Sequence, residues 1–198
     1  MTPERLRELY GATHPRAAAK VIHSLDNHCR EFIQYSTMLV LATSDGTHID
    51  VSPKGDPAGF VEVEDDQHLL LPDRAGNNRL DGMLNILQHP SVALLFMIPT
   101  VTETLRVNGT AEILEDADLC QRFAVNNRLP KTVMRITATE IYTHCGKALL
   151  RGGMWKPETW PSTRPVATLN EMIRDHAKVE VESIEQSAVD ELYEKTLY

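Results

Sequence analysis

Cysteine is scarce in these 198 residues. Cys29, Cys120 and Cys145 lie far apart with no C-x-x-C spacing, which argues against a disulfide framework or a thiolate zinc site and suits a reducing compartment. Positive charge is short as well: 20 Lys and Arg against 28 Asp and Glu give a formal net charge of −8. That balance argues against a general nucleic-acid binder and against attraction to anionic membranes, while leaving room for a local basic pocket. Long apolar runs are missing. The most apolar stretch, around ALLFMIP at 93–99, falls far short of the about 20 residues a spanning helix needs. MTPERLRELY at the start is charged throughout, without the apolar centre of a secretion signal. The expected location is cytoplasmic. H-E-x-x-H, G-x-S-x-G, Walker and G-x-G-x-x-G patterns are all lacking, so no metal site is expected. What remains is a chain that is 42% hydrophobic and 24% charged, the composition of an ordinary globular protein with one domain and appendages.

Periodicity orders the chain. Thr2-Pro3 opens a short helix, and a longer helix is predicted from Arg16 to Tyr35, with Val21, Leu25, Cys29 and Phe32 on one face. Strands are predicted at 38–43, 47–52, 59–65, 68–72, 91–98, 104–114 and 132–144, the first two joined by a Ser44-Asp45-Gly46 turn. Helices are expected from Asn78 to Gln88, from Asp116 to Asn126, and, as a short helix or turn, over 146–155. Capping-box spacings at Thr168 and Ser183 start two terminal helices. Short antiparallel strands interrupted by short helices predict an α+β fold, mostly β, built as a small barrel with helices outside.

Four stretches could carry chemistry. In LPDRAGNNRLDGMLNIL (71–87), Asn77, Asn78 and Arg79 stand at or just before a helix N-terminus, where unpaired N–H groups and the helix dipole favour an anion. A capped, solvated turn would look the same. Ser52-Pro53-Lys54-Gly55-Asp56 closes a strand, with Pro53 ending regular pairing and a hydroxyl and an ammonium left near the barrel rim. Alternation over 103–109 puts Thr104, Arg106 and Asn108 on one strand face, which faces either solvent or a polar pocket. Lys147, Arg151 and Trp155 are spaced to share one helix face, suiting a phosphate and a flat aromatic ligand, or a basic face with Trp155 closing the core.

Taken in order, MLVLATSDGTHIDVSPKG, HLLLPDRAGNNRLDGMLNILQHPSVALLFMIP, ETLRVNGTAEI and HCGKALLRGGMW resemble the pyridoxamine 5′-phosphate oxidase-related flavoproteins, in particular a bacterial subgroup with S-P-[KR]-G and G-N-N-R motifs. The resemblance spans residues 30 to 176. It implies an FMN-binding split β-barrel over 36–165, preceded by a helical extension (1–35) and followed by helices packed on the barrel (166–198). It further implies a homodimer with FMN at the interface. Asn77, Asn78 and Arg79 would then hold the phosphate. Ser52, Pro53 and Lys54 would line the isoalloxazine, as would the strand end at Pro72 and Asp73. Thr104 and Arg106 would approach from across the interface, and Lys147, Arg151 and Trp155 would close the phosphate and ribityl side. The R-x-x-x-L-K strand and the C-terminal arginine signature of true pyridoxamine phosphate oxidases are missing. The expected function is therefore an FMN-dependent oxidoreductase acting on another small molecule, with no side chain assigned as acid or base. A flavin carrier or sensor, a haem-related protein and a deazaflavin-dependent relative are the alternatives.

Overall fold

A computed structural model describes residues 1–178, 184 and 186–198; the capping box expected at Ser183 and part of the acidic 180–194 stretch lie outside the described residues. Seven strands form one antiparallel sheet: β1 Met38–Ser44, β2 Ile49–Gly55, β3 Glu62–Val63, β4 His68–Pro72, β5 Ser91–Met97, β6 Thr104–Leu114 and β7 Val133–His144. Their order is β2-β1-β5-β6-β7-β4-β3. The sheet stays open between β2 and β3, which makes it a split barrel.

The alternating pattern sets which face is buried. In register, Leu39 of β1 lies opposite Phe96 of β5, which lies opposite Leu105 of β6; Leu41, Leu94 and Val107 form the next such row. All six are at most 1% exposed. The neighbouring rows show the opposite face. A single bulge interrupts the β6–β7 ladder, where Thr139 of β7 is the extra residue opposite Asn108/Gly109. A Cβ on Gly109 would lie 2.0 Å from the Thr137 carbonyl oxygen, so only glycine admits that approach.

Helices α1 Pro3–Tyr10 and α2 Pro15–Ala19 bury no side chain, whereas α3 Asn27–Tyr35 buries Cys29 and Ile33. The long helix expected from Arg16 to Tyr35 is therefore two helices with a break. Ile22 leaves helical geometry to exchange both backbone hydrogen bonds with Ile141, at 2.9 and 2.8 Å. Asp26 then restarts the helix by accepting from the Cys29 N–H at 2.8 Å. α4 Asp81–Gln88 adds Ile86 to the same core. α5 Ala117–Arg122 starts on Asp116 but ends before the expected Asn126, because Asn126 and Asn127 turn the chain through positive φ. α6 Lys147–Gly152, α7 Leu169–Ala177 and α8 Gln186–Lys195 follow β7, the capping box at Thr168 opening α7 as expected. Strand β3 is shorter than the predicted 59–65, and β2 is longer than predicted. Pro53 does not end β2, which runs on to Gly55, because β2 is an edge strand and one side of it needs no donor. Among the described residues, no helix is long and apolar enough to cross a membrane.

Candidate functional site

One cleft of about 550 Å³ lies where β2, the end of β4, the start of α4 and the chain before β7 converge. That size falls within the range of about 300–1,000 Å³ usual for small-molecule sites. The inner face of β2 supplies Asp50, Ser52 and Lys54, and β4 hands over to Asp73 and Arg74. Leu41 and Met134 form an apolar floor, and Leu129, Pro130 and Lys131 come from the segment leading into β7.

The loop between β4 and α4 gives the cleft its polar end. Asn78 and Leu80 both adopt left-handed backbone, each at φ 58°, and Asn77 Oδ1 accepts the Arg79 N–H at 3.0 Å. A helix cannot pass through left-handed residues, so α4 begins at Asp81 and not at Asn78 as expected. Leu80 provides no side-chain cap. The first-turn N–H groups of Asp81, Gly82 and Met83 are therefore uncapped in a stretch that lines the cleft. Space there is tight: a Cβ on Gly82 would sit 3.1 Å from Asp50 Oδ2.

Charge inside the cleft is largely matched. Lys54 Nζ is 3.8 Å from Asp73 Oδ1. Arg74 Nε is 2.6 Å from Asp56 Oδ2, and that carboxylate is only 2% exposed. Arg79, with a side chain 78% exposed, pairs with Asp81. The Asp81 carboxylate keeps the Arg79 guanidinium above its ordinary pKa, and Asp50 adds to this from further off. Lys131 makes no ion pair among the described residues.

Of the residues singled out in the sequence, Ser52, Lys54, Asp73, Asn77, Asn78 and Arg79 meet in this cleft. The others lie elsewhere. Pro72 is buried at the end of β4. Pro53 stands on the outer face of the sheet, in the row Pro53, Val40, Leu95, Arg106, Tyr142. Arg106 donates to the Tyr142 hydroxyl at 2.9 Å. Thr104 is opposite His144 in register and buried. His144 Nε2 is buried with no hydrogen-bond partner among the described residues, and burial, then Arg106 and Lys20, hold its pKa below the usual imidazole value. Lys147 and Arg151 are exposed on α6. The expected shared helix face fails at Trp155, because α6 stops at Gly152 and Gly153 turns left-handed; the indole instead donates to the Val101 carbonyl at 2.8 Å. Sequence reasoning missed Asp50, Arg74 and Lys131. Asp50 was within reach, since it shares period-two spacing with Ser52 and Lys54; Lys131 arrives only through the tertiary fold.

A family model described as pyridoxamine 5′-phosphate oxidase matches residues 25–145. The chain belongs to the pyridoxamine 5′-phosphate oxidase family. Among solved structures, a variant of HupZ from Group A Streptococcus is 18% identical, matching 61% of this chain and 99% of its own, with a TM-score of 0.50. This likeness shows the shared split-barrel fold. A Lactobacillus delbrueckii protein described as a pyridoxamine 5′-phosphate oxidase candidate is 20% identical over 61% of this chain and 99% of its own, at a TM-score of 0.47. General stress protein 26 from Bacillus anthracis is 20% identical over 59% and 93%, at 0.45. No curated protein matches the chain.

Proposed function

We propose that the cleft binds FMN and that the protein is an FMN-dependent oxidoreductase acting on a small molecule other than pyridoxamine phosphate. The observation that carries this reading is the junction of an uncapped α4 N-terminus with Lys54, Arg74, Arg79 and Lys131 around one cleft. FMN has a dianionic phosphate, a polar ribityl chain and a flat ring, and each part finds matching chemistry. The loop at 77–83 offers N–H donors and Arg79 for the phosphate. Ser52 and Lys54 offer donors to the polar edge of the ring, and Leu41 and Met134 an apolar surface. The bound flavin would supply the redox chemistry, and this chain would bind and orient it. No histidine lines the cleft among the described residues, which favours flavin over haem.

The same proposal includes a homodimer. The outer face of the sheet carries Val40, Ala42, Ala93, Leu95 and Met97 half-buried, with Met38 and Val51 exposed beside them. Thr104 and Arg106 lie on or beside this face, on the far side of the sheet from Ser52 and Lys54. They reach a flavin only in a second copy, and a two-fold interface would bury the face and complete two equivalent sites.

The test is the visible spectrum of the purified protein, then of the protein reconstituted with FMN. Bound flavin gives maxima near about 370 and 450 nm, and a Soret band or a single band near about 420 nm would replace this reading with haem or deazaflavin.

A further inference from the structure

At one end of the cleft, near Arg74 and the 129–131 wall, a residue remote in sequence completes the packing. Tyr198 donates its hydroxyl hydrogen to Asp56 Oδ1, while Arg74 Nε donates to the other oxygen of that carboxylate, Oδ2, at 2.6 Å. The Arg74 guanidinium carbon lies 5.6 Å from the Tyr198 ring centroid, within cation–π range. Arg128 donates to the Tyr198 carbonyl, next to Leu129 and Pro130 of the cleft wall. Arg74 also donates through Nη1 to the Phe123 carbonyl at 2.6 Å. Its position in the cleft is thus fixed from three sides.

Among the described residues, nothing else holds this part of the chain so closely. α8 buries no side chain, and Leu192, Tyr193 and Leu197 are 49–58% exposed. The hydrogen bond to Asp56, with burial second, raises the Tyr198 phenol above its ordinary pKa.

We infer that Tyr198 is a positioning residue of the cleft: it clamps Arg74 against Asp56 and straps the α8 segment to that end of the site. This reading takes the cleft as the flavin site, and Arg74 then presents its remaining N–H donors to the bound ligand from a fixed position.

Two substitutions in the full chain test it, Tyr198→Ala and Tyr198→Phe. Without flavin, the rate of Arg74 modification by phenylglyoxal is followed by peptide mass spectrometry. Loss of one hydrogen bond and one cation–π contact should speed it about 5- to 30-fold in Tyr198→Ala. Tyr198→Phe keeps the ring and should fall between that variant and the parent. With flavin, the FMN dissociation rate should follow the same order, and the rescue by Phe separates positioning of Arg74 from a general loss of fold. Equal modification rates in all three proteins would overturn the inference. So would faster modification with unchanged FMN dissociation, since Arg74 would then be shielded but not positioned for the ligand. Failure of every protein, the parent included, to bind FMN would remove the flavin reading, and the flavin-free arginine rates would then decide the strap alone.

Discussion

On the inner face of the sheet, Leu39, Phe96 and Leu105 stand in one cross-strand row and are at most 1% exposed. One residue further along each strand, Val40, Leu95, Arg106 and Tyr142 form the next row, and all four stay half-buried. The two rows share strands, hydrogen-bond ladder and register, so the backbone does not distinguish them. The difference lies in what covers each face. α3 and α4 close the inner one with Cys29, Ile33 and Ile86, and the proposed second copy closes the outer one.

The largest expected effect separates the faces by stability. Phe96→Ala should cost about 3–5 kcal/mol in urea unfolding, as a buried aromatic truncated inside a packed core. Leu95→Ala should cost under about 1.5 kcal/mol when measured on dilute protein, because its side of the strand is only partly covered. Equal losses would mean that the outer face is already a finished core.

Next in size comes association. Leu95→Asp places a carboxylate in the proposed interface and should weaken the dimer by about 100-fold or more in sedimentation equilibrium. A homodimer unaffected by it would put the interface elsewhere.

Within the cleft, Arg79→Ala should reduce FMN affinity about ten-fold or more, since a phosphate loses a charge-assisted hydrogen bond. The thermal midpoint without FMN should hardly move, because the side chain is 78% exposed. Asp81→Asn should act in the opposite direction and gain a few-fold in FMN affinity, by freeing Arg79 and removing like charge from the phosphate end.

The smallest effect lies in the turns that join β1 to β2 and β3 to β4. Asp45 and Asp65 accept backbone N–H bonds in their turns, His48 and Thr47 for Asp45 and Gln67 and His68 for Asp65, and both pKa values are lowered to about 2. A folded pKa below the unfolded 3.8 makes the stabilisation full above about pH 4 and lost as pH falls through about 2. Asp45→Ala should therefore lower the melting temperature at pH 6, with the difference from the parent closing toward pH 2.

Much of this comparison was legible in the sequence. Alternation over 103–109 marked Thr104, Arg106 and Asn108 as one face and Leu105 and Val107 as the other, and the structure keeps that division. Family motifs marked Ser52, Lys54, Asp73 and the Asn77–Arg79 loop, which the fold brings to one cleft. Features set by long-range contact stayed hidden. The break at Ile22 depends on pairing with Ile141, more than a hundred residues away. Lys131 and Tyr198 reach the cleft region through tertiary contacts that no local pattern encodes. The start of α4 was misplaced by three residues because asparagine reads equally well as a cap or as a left-handed turn, and here Asn78 takes the turn.

The central claim, that the cleft recognises a flavin through its phosphate, is tested most directly by titrating the full chain with FMN and with riboflavin under identical conditions. The account predicts FMN to bind at least about ten-fold more tightly, as loss of the phosphate strands Arg79 and the α4 N–H groups without their anion. Equal affinities for the two flavins would contradict it.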